Sequence, residues 1–522
     1  MRYVVLGLVA LSLHILVGCG SGPDTPASEQ TVEDVVLPPG ADVNAARILA
    51  ARETPGDWLS YGGTYDEQRH SLLTEINTKT VDQLGVAWTY DLATARGVEA
   101  TPIVVDGVMY VTSAWSVVYA LDAKTGEELW VYDPGVDRAR GVAACCDVVN
   151  RGVAIWEGKV FVGTIDGRLV ALEAGTGEVI WDTLTVDLSR PYTITGAPRV
   201  VKGNVLIGNG GAELGVRGYV SAYDADTGDL SWRFYTVPNP NKQPDGAVSD
   251  SAFEAIGNVT WGDEGAWTTD GGGGTVWDSI VYDEVNDLII FGVGNGSPWT
   301  QNVRDPSGGD NLFLSSIVAV RPETGEYVWH FQTTPGDNWD YTATQTLILA
   351  DLPLGENGAD QRVVMQAPKN GFFYVLDAAS GAFLSGDAFV PLNWAEGLDA
   401  DGRPIEAEIA RASDPTFFQN PGPLGAHNWH PMAFNPDLGL AYIPAQEIPG
   451  PYVQDLAKAS AGGTWNTGID FAADSPLNAP PPLITAIKSS LKGRLIAWDP
   501  VAQEPRWSVE HPNAWNGGIL SA

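Results

Sequence analysis

Hydrophobic and polar positions along this chain alternate in short bursts separated by glycine turns. VVDGVMYVT (104–112), WEGKVFVGT (156–164) and VKGNVLIGN (201–209) are alternating or continuously apolar strands opened by a Gly-containing turn, the pattern of antiparallel β structure. A second pattern follows each: LDAKTGEELW (121–130), LEAGTGEVIW (172–181), YDADTGDLSW (223–232) and VRPETGEYVW (320–329), with degenerate copies LDAASGAFL (376–384) and WDPVAQEPRW (498–507). Trp130, Trp181 and Trp232 recur at a spacing of 51 residues. A repeat of about 50 residues with about four strands per copy predicts an all-β fold, a β-propeller, whose radial closure protects its sheet edges.

Within each copy the Asp and Thr side chains can hydrogen-bond the turn backbone, Gly takes the positive-φ position, and Trp packs between neighbouring blades. Helix is scarce; ADVNAARILAARE (41–53) is a short candidate ahead of the propeller, which begins near Asp57. Stretches 238–272 and 385–426 break the period, and inserts of that kind project from one face of the ring and often carry function. No further Asp-x-x-Thr-Gly copy follows WNGGILSA (515–522), so the last blade is expected to be truncated.

Composition adds two constraints. Sixty Gly and 35 Pro punctuate a chain that is 44% hydrophobic and holds 19 Trp, so the turns separate strands with ample surface to bury. The charge is lopsided: 65 Asp+Glu against 29 Lys+Arg give −36. With no basic cluster there is no means of releasing phosphate counterions, which argues against a nucleic-acid partner.

The N-terminus reads as an export signal. Arg2 precedes an apolar run over residues 3–17, and Leu16-Val17-Gly18-Cys19 matches a lipobox, in which a lipidated Cys19 would hold the protein to a membrane surface without spanning it. Residues 20–40 are polar, acidic and Pro-bearing, as a tether is. The expected organisation is therefore a signal at 1–19, a linker at 20–40 and one propeller domain at 41–522, in the periplasm. In that oxidising compartment the adjacent Cys145 and Cys146 are a candidate disulfide. No Cys-x-x-Cys-His motif occurs, so no haem is expected in this chain.

Once turns and tryptophans are set aside, Glu99, Arg151, Thr195, Glu213, Asn295, Asp340 and Lys369 remain, each near a strand end and one or more per blade. A propeller gathers such positions onto its axis; singly, each reads equally well as a solvated loop residue. Together with CCDVVNRG (145–152), GNGGAELGVRG (208–218), GGGGTVWDS (271–279), GNGSPW (294–299), TTPGDNWDY (333–341), QAPKNGFFYVLD (366–377), GAHNWHPM (425–432) and AWNGG (514–518), the chain from about Asp57 to Ala522 resembles the pyrroloquinoline quinone (PQQ)-dependent alcohol dehydrogenases. The quinohaemoprotein type is most similar, with methanol dehydrogenase related.

The resemblance implies an eight-bladed propeller with the flat quinone on its axis, between a Cys145–Cys146 disulfide and the Trp277 indole. Glu99, Arg151, Thr195, Gly211, Ala212, Thr275 and Lys369 would hold its carboxylates and carbonyls, with Asn428 and Trp429 close by. A planar aromatic dicarboxylate does need a stacking surface, cations and hydroxyl or backbone donors. Glu213, Asn295 and Asp340 match the positions of metal ligands, and hard oxygen donors select Ca²⁺. Thr342 stands where lanthanide-using members carry a second Asp. The implied reaction is oxidation of an alcohol to an aldehyde by hydride transfer to the quinone, with Asp340 as general base and a c-type cytochrome as acceptor. His427 and His430 flank a cofactor motif and are expected to be structural. Two alternatives are a non-catalytic propeller lipoprotein of outer-membrane assembly and a PQQ-dependent sugar or polyol dehydrogenase. The first has no use for a Cys pair together with Glu213, Asn295 and Asp340; the membrane-bound glucose dehydrogenases lack adjacent cysteines and carry several N-terminal spans.

Overall fold

Turn chemistry sets the blade. In the computed structural model, which describes residues 40–455, 465–470, 481–515 and 517–522, β1 (Ile103–Val105), β2 (Val108–Thr112), β3 (Val118–Asp122) and β4 (Glu128–Tyr132) form one antiparallel sheet in sequence order. The Asp122 carboxylate accepts the Thr125 N–H (2.7 Å), the Thr125 hydroxyl (2.9 Å) and the Lys124 N–H (3.0 Å), closing the predicted turn. A β-bulge falls between Ala120 and Leu121 just ahead of it, and an equivalent irregularity recurs after Ala171, Ala222, Ala319, Val375 and Ala497. Four-stranded sheets of the same order span 154–184, 199–235, 280–332, 347–388 and 433–511, making six such sheets among the described residues. The architecture is the expected β-propeller. The expected signal, Cys19 and all but the last residue of the tether lie outside the described residues.

The tryptophans of the four full copies, and Trp88 ahead of them, span to the next blade, whereas Trp507 of the degenerate last copy is exposed. The indole N–H groups of Trp88, Trp130, Trp181, Trp232 and Trp329 donate to the carbonyls of Ala123, Ala174, Ala225, Pro322 and Ala378 at 2.9–3.2 Å. Each ring also lies against the Thr-Gly or Ser-Gly turn of that next blade: a Cβ on Gly177 would come within 2.6 Å of the Trp130 ring. Hydrogen bonding the N–H lets a large amphipathic ring be buried without an orphan donor.

One segment crosses the hub. Trp58 pairs with Val104, the Tyr65 hydroxyl donates to Val200 O (3.1 Å), Gln68 Nε2 donates to Leu349 O (2.9 Å), and Phe434 N–H donates to Gln68 O (2.8 Å). A stretch that reaches four blades has to lie where they converge. Residues 69–71 also pair with 519–521 through Ser71 N–H to Ser521 O (2.8 Å) and Ser521 N–H to Arg69 O (3.0 Å). The 41–53 helix is realised as Ala45–Leu49, capped by the Asn44 side chain, with a 3₁₀ turn at Ala51–Glu53. The second insert begins later than expected, because 385–388 complete the strand Phe383–Ala388, and it carries a small hairpin of Ala395–Leu398 with Pro404–Glu406. Helix Pro481–Ser490 had no counterpart in the sequence reading; no helix among the described residues is long and apolar enough to cross a membrane.

Candidate cofactor and metal site

Two polar clusters form where the loops between strands converge. The first begins after strand Asn204–Gly208. There Gly211, at φ +104°, turns the chain so closely past Pro191 that a Cβ would lie 2.6 Å from its carbonyl, and the 3₁₀ turn Ala212–Leu214 then buries Glu213. Glu213 Oε1 accepts Asn295 Nδ2 (3.0 Å) and the Trp299 indole N–H (3.2 Å). Asp340 sits in the left-handed region at φ +65°, on a turn shaped by Asp337 Oδ1 accepting the N–H groups of Trp339 (3.1 Å) and Tyr341 (3.0 Å). Lys369 Nζ donates to Asp340 Oδ2 (2.8 Å) and to Pro423 O (3.0 Å).

Burial pushes the Asp340 carboxyl up to about 8; the Lys369 ammonium pulls against it, and the charge on Glu213 adds to the upward push. That position gives Asp340 appreciable proton affinity near neutral pH. Among the described residues no group of three or more His, Cys, Asp and Glu side chains gathers, so this cluster consists of two carboxylates, a carboxamide and an ammonium.

Arg151 centres the second cluster. Its backbone is pinned on both sides, N–H to Thr195 O (3.0 Å) and O to Thr101 N–H (3.0 Å). The guanidinium then meets Glu99 Oε2 (2.7 Å) and Thr195 Oγ1 (2.9 Å), with Asp278 Oδ2 at 3.6 Å from Nε. Its Cζ lies 4.9 Å from the centre of the Trp277 ring and 5.9 Å from that of Trp429. Nearly excluded from water, these charges act on one another with little screening; burial still outweighs Arg151 and holds the Glu99 carboxyl above its usual range.

Residues 274–278 join the clusters. Gly274 N–H donates to Asn295 O (2.8 Å) and buried Thr275 offers its carbonyl to Gly294 N–H (3.0 Å), while Trp277 lies against Arg151. Three residues of chain span at most about 11 Å, so the two clusters are neighbours. The structure thus groups Gly211, Ala212, Glu213, Asn295, Asp340 and Lys369, and beside them Glu99, Arg151, Thr195, Thr275 and Trp277. Cys145 and Cys146 are disulfide-bonded and exposed, on the loop leading into Arg151. Trp429 stacks on His430 (4.0 Å) at the edge of the Arg151 cluster, whereas the Asn428 amide is engaged locally with Leu424 O and Trp429 N–H. The His427 ring is fully buried between the carbonyls of Ala367 and His430, 2.7 Å from each.

Trp299 and Asp278 were missed by sequence reasoning although both stand inside quoted motifs. Asp278 follows Trp277 and Trp299 lies four residues after Asn295, and nothing in a linear motif distinguishes the side chain that turns inward.

A family model described as the β-propeller domain of glucose/ethanol/alcohol dehydrogenases, under the name PQQ, matches residues 58–386. The quinohemoprotein alcohol dehydrogenase of Comamonas testosteroni is 51% identical over 490 residues, which cover 92% of this chain and 66% of that protein. Among solved structures, quinohemoprotein alcohol dehydrogenase ADHIIG of Pseudomonas putida superposes with a TM-score of 0.85 at 52% identity, over 92% of this chain and 70% of that one. A europium-containing methanol dehydrogenase gives 0.77 at 32% identity, over 91% and 82%. The chain spans about two thirds of the length of the curated relatives it matches.

Proposed function

This chain belongs to the family of PQQ-dependent alcohol dehydrogenase propellers, and from that premise we propose that it oxidises an alcohol to the aldehyde with PQQ and Ca²⁺, passing electrons to a c-type cytochrome. The observation that carries the reading is the meeting of Glu213, Asn295, Asp340 and Lys369 in one buried cluster beside Arg151 and Trp277.

The residues suit both groups. Glu213, Asn295 and Asp340 offer oxygen atoms alone, the donor set of a hard cation. Thr342 adds no carboxylate: its hydroxyl is held by Thr344 Oγ1 and Gln345 Nε2, each at 3.0 Å, which favours a divalent over a trivalent ion. For a flat polyanionic quinone, Trp277 offers a stacking plane, Arg151 and Lys369 offer charge, and Thr195 and Thr275 offer hydroxyls. Arg151 Nε is buried without a hydrogen bond, so donor capacity in that cluster is uncommitted. The exposed Cys145–Cys146 disulfide is the proposed cover on the opposite side.

When bound, PQQ supplies a two-electron acceptor and Ca²⁺ a Lewis acid. Asp340 takes the proton from the alcohol oxygen, and the Lys369 ammonium at 2.8 Å together with a bound cation favours the carboxylate form that this needs. Lys369 occupies Oδ2 and so directs that chemistry to Oδ1. Arg151, fixed by Glu99 and Thr195, holds positive charge where negative charge builds on the acceptor. The three cysteines form no haem-attachment motif, so the acceptor haem is assigned outside these 522 residues. The leader-like residues 1–19 and the disulfide support a periplasmic site of action.

Asp340→Asn is expected to lower dye-linked alcohol oxidation by about 10²–10⁴-fold while PQQ binding, followed by absorbance, is retained. An unchanged rate would remove Asp340 from the chemistry.

A further inference from the structure

Arg304 is fully buried and stands in no motif that pointed to chemistry. Its Nη1 donates to Pro298 O (2.8 Å) and Trp299 O (2.7 Å), its Nη2 to Asp337 O (2.5 Å), and both Nε and Nη2 to Asn311 Oδ1 (3.2 Å each). Pro298 and Trp299 lie on the loop that begins with Asn295 and sends the Trp299 indole to Glu213. Asp337 heads the turn that presents Asp340. One side chain therefore staples the loop carrying Asn295 to the turn carrying Asp340.

The staple is stiff. Asn311 is itself oriented by its Nδ2 donating to Asp305 Oδ2 (2.6 Å), and Gly296 packs so tightly on the guanidinium that a Cβ there would lie 2.4 Å from Cζ. A buried cation is costly unless each donor meets a fixed acceptor. Here most of those acceptors are main-chain carbonyls of the two loops, so a displacement of either loop leaves a buried charge short of partners.

We infer that Arg304 is the positioning residue of the cation site, holding the Asn295 and Glu213 oxygens at a fixed separation from Asp340. The inference rests on the Ca²⁺ site proposed above. Lysine cannot substitute, because a single ammonium lacks the planar fork that reaches both loops and Asn311 together.

The test is the Ca²⁺ affinity of the full chain with PQQ present, measured by titration calorimetry. Arg304→Lys is expected to weaken Ca²⁺ binding by about 10–100-fold, the range typical of residues that orient metal ligands, and excess Ca²⁺ is expected to restore its turnover. Arg362→Lys, which disturbs a different ion-pair group around Asp66 and Asp283, is expected to lower thermal stability at unchanged Ca²⁺ affinity. Wild-type affinity in folded Arg304→Lys overturns the inference. Should that variant not fold, Asn311→Ala removes one anchor of the guanidinium, and unchanged Ca²⁺ affinity there overturns it equally. A wild-type protein that takes up no Ca²⁺ overturns the site reading itself, and this inference with it.

Discussion

Burial at single residues sets much of the expected pH behaviour. His330 lies against Phe313 with its Nδ1 2.8 Å from the Tyr327 hydroxyl, and burial lowers its pKa from 6.5 to about 4. A depressed histidine favours the neutral folded form, so its contribution is intact above pH 6.5 and is lost as the pH falls towards 4, where the unfolded chain binds the proton first. At pH 5 the loss is about 2 kcal/mol. Chemical denaturation at pH 7 and pH 5 is expected to show a smaller acid loss for His330→Gln than for wild type; equal losses would show that His330 is not the group responsible. At this scale the sequence was only partly legible. Glu213, Asn295, Asp340 and Lys369 stood in recognisable motifs, but Arg304 follows an unremarkable WTQNV, and its importance comes from carbonyls on loops separated along the chain.

At the scale of the element, the repeat was readable because its chemistry is local. Asp, Thr and Gly close a turn within a few residues, and Trp announces the dock to the next blade. What could not be read was where an insert starts, since 385–388 extend an existing strand through backbone pairing that any residue can supply. Gly177 tests the docking. At φ +74° a side chain is strained, and its Cβ would also meet the Trp130 ring at 2.6 Å. Gly107 has a similar φ of +83° with nothing within 4 Å. Gly107→Ala is expected to cost about 1 kcal/mol, the strain alone, and Gly177→Ala about 2–3 kcal/mol. Equal costs in urea denaturation would show that the Trp–Gly contact contributes nothing beyond backbone strain.

For the whole molecule, the propeller supplies a ring that brings residues from 99 to 369 together, in a chain of net charge −36. Like charges repel, and salt shortens their reach from about 30 Å at 0.01 M to about 8 Å at 0.15 M. The melting temperature at pH 7 is therefore expected to rise with NaCl over that range; a flat or falling profile would mean that the acidic groups are locally compensated. The sequence showed the charge but not how loops from separate blades meet, because that depends on ring closure.

The central claim is that these loops build one site for PQQ and Ca²⁺. The direct measurement is reconstitution of the purified protein with each, alone and together, followed by dye-linked oxidation of an alcohol panel. One PQQ bound per chain, with turnover that requires Ca²⁺, is the predicted result; failure to bind the quinone, or alcohol oxidation at the same rate without it, would contradict the account.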